Sequence, residues 1–184
     1  MFNKNRLIED IDFLKVQTKN QIIYTLMKYN SCLLKYKENG KDATDIIYDN
    51  TKRFNSLVIL TLLEKEQGLV RMKEMQNQKV FNRCLGFGMD DGGDNKEYYG
   101  FEVQIRKASE WLLNNYNSSS KYVNKEFKCG DGVIVPENKI TYVMYKYTPW
   151  IGEISRKIGK NYYDSPFGNF LFYQIWQIFN GRKI

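Results

Sequence analysis

Two glutamates, Glu64 and Glu66, close the most apolar stretch of the chain, which runs FNSLVILTLLEKEQGLV from Phe54 to Val70. Leu57, Val58, Ile59, Leu60, Leu62 and Leu63 are apolar on every side of a helical wheel, the pattern of a helix buried within a domain. An ionisable group at the end of such a helix is costly to place there. Positions two apart lie about 200° around a helix, so the two carboxylates cannot share a face and only one can look into a given cleft. Glu66 is the stronger candidate, because the last helical turn carries unpaired carbonyls and the negative end of the macrodipole. Desolvation by the neighbouring leucines is expected to act the same way, and a carboxyl held protonated is what donating a proton to a glycosidic oxygen requires. The plainer alternative is that both glutamates are solvated residues at a helix end.

A second acidic group lies in GFGMDDGGDNKEYYG, from Gly86 to Gly100, where Asp90, Asp91 and Asp94 sit among five glycines. One of them could be the second carboxylate of a glycosidase pair or stabilise an oxocarbenium-like transition state; a solvated turn is the alternative. The spacing fails the calcium-loop pattern, and the glycines lack the G-K-[ST] or strand-to-helix setting of a phosphate loop. No metal and no cofactor is expected. Tyr98, Tyr99, Tyr145, Tyr147 and Trp150 fall near loops or helix ends, where aromatics can stack on sugars, although a chain with 15% aromatic residues must also use many of them as core. The chain has no histidine, which removes zinc amidases and Cys–His or Ser–His hydrolases. Cys32, Cys84 and Cys129 form no C-x-x-C and read as small buried hydrophobes.

The elements that must position these groups follow from periodicity and caps. Leu7, Ile8, Ile11 and Leu14 predict an amphipathic helix or arm within residues 1–17. Thr18 to Gln21 is a capping-box signal for a helix ending near Asn30, with Ile22, Ile23, Leu26 and Met27 on its apolar face. Asn39-Gly40 marks a turn, and Asp42 or Thr44 can cap a short helix holding Ile46, Ile47 and Phe54. The buried helix should start near Ser56 and stop at Gly68, a natural left-handed cap. Gly86 to Gly100 reads as a functional loop, and Phe101, Ile105, Ala108 and Leu112 as the next helical face. Residues 122–136 predict a hairpin turning at Gly130-Asp131-Gly132, and Ile140, Val143, Met144 and Tyr147 a helix stopped by Pro149. A last helix over about 166–179 should turn Phe167, Leu171, Ile175 and Ile178 inward. The expected fold class is mainly α with a small β-hairpin, α+β, without internal repeats or a linker.

Length and composition agree with one domain carrying a substantial core: 184 residues, 42% of them apolar. No apolar run approaches the roughly 20 residues that span a bilayer, so membrane insertion is not expected. The first residues mix charges of both signs with apolar groups, unlike a signal peptide, so export would need another route or a larger parent chain. A formal charge of +7 favours an anionic partner: nucleic acid, a membrane surface or an acidic wall polymer. The basic residues form neither a stripe nor a nucleic-acid-binding motif, so nucleic acid is not an expected partner.

Taken together, LVILTLLEKEQGLV, GFGMDD, YYGFEVQIRKASEWL, ITYVMYKYTPW and GNFLFYQIW resemble a family of uncharacterised bacterial and phage wall-associated domains, over roughly residues 18–180. That family in turn is similar to the lysozyme-like superfamily of lytic transglycosylases and goose-type lysozymes. The resemblance implies a lysozyme-like helical fold for residues 18–184, Glu66 as general acid and Tyr145 as the tyrosine of the A-Y-N-x-G segment. It places Gln67 where a serine usually stands, and Gly86, Phe87, Gly88 and Met89 at the G-L-M-Q-like segment, with Gln104 as a substitute for the missing glutamine. Asp90, Tyr99 and Tyr147 complete the expected substrate-binding set. Departures are Ser56 where the family has proline and Glu64 where it has glutamine. The implied activity is cleavage of the β-1,4 bond between N-acetylmuramic acid and N-acetylglucosamine in peptidoglycan, by a muramidase or lytic transglycosylase of the bacterial cell wall or a phage virion. The rival is a non-catalytic peptidoglycan-binding or structural module of a phage tail or secretion assembly.

Overall fold

The structure is a computed structural model that describes residues 1–75, 77–90, 93–153, 156–158, 161–163 and 166–182, with the backbone alone at 89–90, 93–94, 156–158 and 161–163. Its helices are α1 (Asp10–Leu14), α2 (Lys19–Lys28), α3 (Ala43–Asn50), α4 (Ser56–Gln67), α5 (Gln78–Asn82), α6 (Phe101–Ser118), α7 (Lys139–Tyr147) and α8 (Gly168–Phe179). Its strands pair as antiparallel hairpins: β1 (Lys37–Glu38) with β2 (Lys41–Asp42), and β3 (Met89–Asp90) with β4 (Gly93–Asp94). Further along come β5 (Phe127–Cys129) with β6 (Gly132–Ile134), and β7 (Arg156–Ile158) with β8 (Asn161–Tyr163). The described residues are therefore mainly helical with small two-stranded sheets, and hairpins occur beyond the single one expected. No helix is long and apolar enough to cross a membrane among the described residues.

The residues group into two compact units, 14–113 and 1–13 with 114–184. In the first unit, α4 follows its sequence signals closely. Asn55 accepts the N–H of Leu57 at 3.0 Å, Gly68 takes the left-handed conformation at φ 65°, and every residue from Ser56 to Glu64 is buried. α2 carries the full capping box, with Thr18 and Gln21 bonded reciprocally. Its inner face is narrower than expected: Ile22 and Leu26 are buried, whereas Met27 is exposed. Asn39 and Gly40, at φ 51° and 81°, form the two-residue tip of the β1–β2 hairpin, the geometry for which an Asn-Gly pair is suited.

That hairpin has a role no local pattern announced. Glu38 accepts the N–H groups of Phe101 at 2.9 Å and Glu102 at 2.7 Å, capping α6 from 60-odd residues away in sequence. Tyr36 stacks on Phe81 with ring centroids 4.0 Å apart and meets Phe101 edge-on, so the aromatic core continues under the cap.

In the second unit the N-terminal stretch is helical only over α1, shorter than the periodicity suggested. Leu7 and Ile8 are buried in non-helical chain. Their backbone is used elsewhere: Leu7 N–H donates to Thr141 Oγ1 and Ile8 carbonyl accepts from Asn138 Nδ2. Asp10 then accepts the N–H of Ile140 at 2.9 Å, so α7 is capped by Asp10 as well as by its own Asn138. α8 begins where Gly168 stands at φ 58° and buries Phe172, Ile175 and Trp176, while Phe167, Leu171 and Ile178, expected inward beside Ile175, are half-buried.

Replacing Glu38 by Ala leaves two helix-terminal N–H groups without their acceptor. The expected loss is about 1–2 kcal/mol, read from urea unfolding, with Glu38→Gln losing less. An unchanged midpoint for Glu38→Ala would contradict the cap.

Candidate functional site

The sequence placed catalysis at the end of α4, and the structure separates its two glutamates by environment. Glu64 is buried at 7% exposure, while Glu66 is exposed. The expectation that leucines desolvate Glu66 is corrected: a helix apolar on all sides has no phase to read, and the buried face takes Glu64 instead. The end of the helix is also better satisfied than expected. Gly68 N–H donates to Glu64 carbonyl at 2.8 Å and Leu69 N–H to Leu63 carbonyl at 3.3 Å, so these terminal carbonyls are paired.

Glu64 is tied down by Arg71. The Arg71 N–H meets Oε2 at 2.9 Å and its guanidinium Nε meets Oε1 at 2.5 Å. Arg71 can do this because the chain around it is anchored on both sides. Ser31 Oγ donates to Leu69 carbonyl at 3.1 Å and Cys32 N–H donates to Met72 carbonyl at 2.6 Å. Glu64 therefore joins the end of α4 to the following turn. Neither Arg71 nor Ser31 carried a local signal of this role.

Glu66 pairs with the Lys65 ammonium at Oε1, 2.5 Å away, and its side chain keeps 31% of its surface exposed. Gln67 beside it is exposed. Carboxylate and amide at this helix end thus face outward, where a polar ligand can reach them.

The glycine segment is organised by Gln104, which is fully buried. Its Oε1 accepts the N–H groups of Leu85 and Phe87, both at 3.1 Å, and its Nε2 donates to the carbonyls of Phe87 at 2.9 Å and Tyr98 at 2.7 Å. A primary amide has two donor hydrogens and two acceptor lone pairs, and all are used. This corrects the expectation that Gln104 touches substrate: it holds the Leu85–Gly88 segment from beneath. Gly86 and Gly88 stand at φ 74° and 75°, and a Cβ on Gly88 would lie within 2.6 Å of the Tyr98 ring. Phe87 is half-buried. The Tyr99 hydroxyl oxygen accepts from Arg83 Nη2 at 2.5 Å, with the guanidinium 5.1 Å from its ring. Met89 and Asp90 lie on β3, their side chains outside the described residues, as are the side chain of Asp94 and the whole of Asp91.

Tyr145 and Tyr147 belong to the other unit, at the end of α7. Tyr145 is fully buried, and its hydroxyl has no hydrogen-bond partner among the described residues. Burial pushes its ionisation well above the ordinary phenol range, with Cys129, Asp131 and Glu153 adding to the effect. Tyr145, expected as a catalytic residue that positions the sugar or the carboxyl, has its ring turned into the core by α7, so direct contact with a sugar is corrected. Tyr147 is half-buried. Asp131, unnoticed beyond its turn, accepts the N–H groups of Ile151 at 2.8 Å and Gly152 at 2.7 Å and so holds the segment after Trp150. The three cysteines are free thiols; burial raises Cys129 to about 12 and pushes Cys32 and Cys84 up, so none is an activated nucleophile. No group of three or more metal-ligating side chains occurs among the described residues.

No family model, curated protein or solved structure matches the chain.

Tyr145→Phe deletes only a hydroxyl without a partner. Stability should hold or rise by up to about 3 kcal/mol in urea unfolding. A clear loss of stability would show that the hydroxyl is bonded in solution.

Proposed function

We propose that the chain is a peptidoglycan-cleaving glycosidase of lysozyme-like fold, acting on the bond between N-acetylmuramic acid and N-acetylglucosamine with Glu66 as its general acid and base. The observation that carries this reading is the division of labour at the end of α4. Glu64 is buried and occupied by Arg71, which leaves Glu66 as the carboxylate that a substrate can meet. The motif resemblance of residues 18–180 to wall-associated domains supports the same residue.

In this mechanism Lys65 stands on Oε1, so the leaving oxygen of the glycosidic bond is met by Oε2. Bound substrate that covers Glu66 and shuts out water supplies the desolvation that α4 does not, so the carboxyl is protonated in the complex. The proton passes from Oε2 to that oxygen as the bond to the muramyl C1 breaks. The resulting carboxylate then takes a proton either from the muramyl 6-hydroxyl, closing an anhydro ring, or from water. In this reading the exposed Gln67 bonds a sugar substituent, while Gln104 holds the segment around Phe87 in its shape. Tyr145, being buried, acts through the packing of α7.

The second reading is a non-catalytic peptidoglycan-binding or structural module of a phage tail or secretion assembly. The Lys65–Glu66 pair favours it, because a carboxylate engaged by an ammonium already has an ionic partner. Binding to purified peptidoglycan without release of sugar ends would identify that case.

Glu66→Gln should abolish clearing of purified peptidoglycan with the unfolding midpoint unchanged. Glu64→Gln should lower stability by about 1–3 kcal/mol through the loss of its Arg71 contacts, with clearing retained below the unfolding range. Undiminished clearing by Glu66→Gln would overturn the assignment.

A further inference from the structure

The unit of residues 14–113 carries a second feature with the makings of a site, a groove of about 350 Å³. One wall is the end of α3 and the turn after it, with Asp49, Lys52 and Arg53; the other is a face of α6, with Arg106, Ser109 and Glu110. The α6 residues recur at helical spacing and continue to Leu113, which gives the groove an apolar end.

Its charges are unequally satisfied. Lys52 is paired with Asp49 at 2.8 Å. Arg106 reaches Glu110 only at 3.5 Å, and the other oxygen of Glu110 is shared with Lys107 at 3.9 Å. Arg53 is exposed and has no carboxylate partner among the described residues. The groove thus holds one cation more than its carboxylates neutralise, and the least satisfied cations are two guanidiniums, whose planar fork of donors matches carboxylate and phosphate.

A second observation is independent of charge. Ser109, one of the residues that line the groove, is 4% exposed, and its buried Oγ has no hydrogen-bond partner among the described residues. A buried hydroxyl left this way is destabilising unless something in the groove completes it.

We propose that this groove binds an oxyanion, carboxylate or phosphate, carried on a small hydroxylated ligand of monosaccharide size. Arg53 and Arg106 hold the oxyanion and Ser109 bonds the ligand from the wall. Asp49 and Glu110 accept from its hydroxyls, and Leu113 faces its apolar side. The volume is at the lower end of the range for small-molecule sites, which suits one sugar ring. The site is separate from the carboxylates of α4 and does not depend on their being catalytic.

The test is an amide NMR titration of the whole chain with three probes: N-acetylmuramic acid, glycerol 3-phosphate and neutral N-acetylglucosamine. At least one anion should give saturable shifts at Arg53, Arg106 and Ser109 with a dissociation constant below about 10 mM, and the neutral sugar should bind at least tenfold more weakly. Saturation by N-acetylmuramic acid alone assigns a carboxylate ligand, by glycerol 3-phosphate alone a phosphate ligand, and by both a general oxyanion site. Arg53→Gln should weaken binding about tenfold and Ser109→Ala about threefold, each with the rest of the spectrum retained, consistent with loss of one charged and one neutral hydrogen bond. Glu66→Gln should bind as wild type does, so failure of the glycosidase reading leaves this result standing. Absence of saturable shifts with both anions, equal binding of the neutral sugar, or unchanged binding in both groove variants would overturn the proposal.

Discussion

Burying a carboxylate at the end of an otherwise apolar helix is the constraint from which the arrangement at α4 follows. Glu64 lies on the buried side of the helix, and a charge there is tolerable only with partners in place. Arg71 supplies two, one from its backbone and one from its guanidinium. For Arg71 to do so, the chain after Gly68 must return toward the helix end, which the left-handed glycine allows and the Ser31 and Cys32 hydrogen bonds secure. Glu66, two positions on, is turned outward by the same helical geometry.

A single side chain that satisfies several backbone groups recurs as a device. Gln104 serves four backbone groups around the glycine segment, Glu38 two at the start of α6, Asp131 two after Trp150, and Asp10 the start of α7. Irregular chain and helix ends expose backbone polar groups that must find partners when buried. Beside the local caps of α2, α4 and α7, several of those partners come from distant residues.

That device also explains which features were legible in sequence. The helix signals at Thr18, Asn55 and Gly68, the Asn39-Gly40 tip and the hairpin turn at Gly130-Asp131 are local, and each appears where its residues stand. Glu38, Gln104, Asp131 and Arg71 act across sequence, so their types and spacing gave no sign of their roles. Leu7 and Ile8 kept helical spacing yet lie in non-helical chain, because their backbone groups bond to Thr141 and Asn138. At the candidate site, the two glutamates were recognisable as chemistry, whereas their burial was not: the all-apolar helix offers no polar face from which to set its rotation. Tyr145 was conspicuous as a motif residue and proved to be core, since an aromatic ring at a helix end can face either way.

Glu66 as the working carboxylate is the central claim, and it concerns bond cleavage. The most direct measurement is mass spectrometry of the soluble products formed when the purified protein is incubated with purified peptidoglycan. The account predicts muropeptides ending in N-acetylmuramic acid, either as free reducing ends or as anhydro sugars, which also separates hydrolysis from ring closure. Peptidoglycan that binds the protein yet releases no such fragments would contradict it.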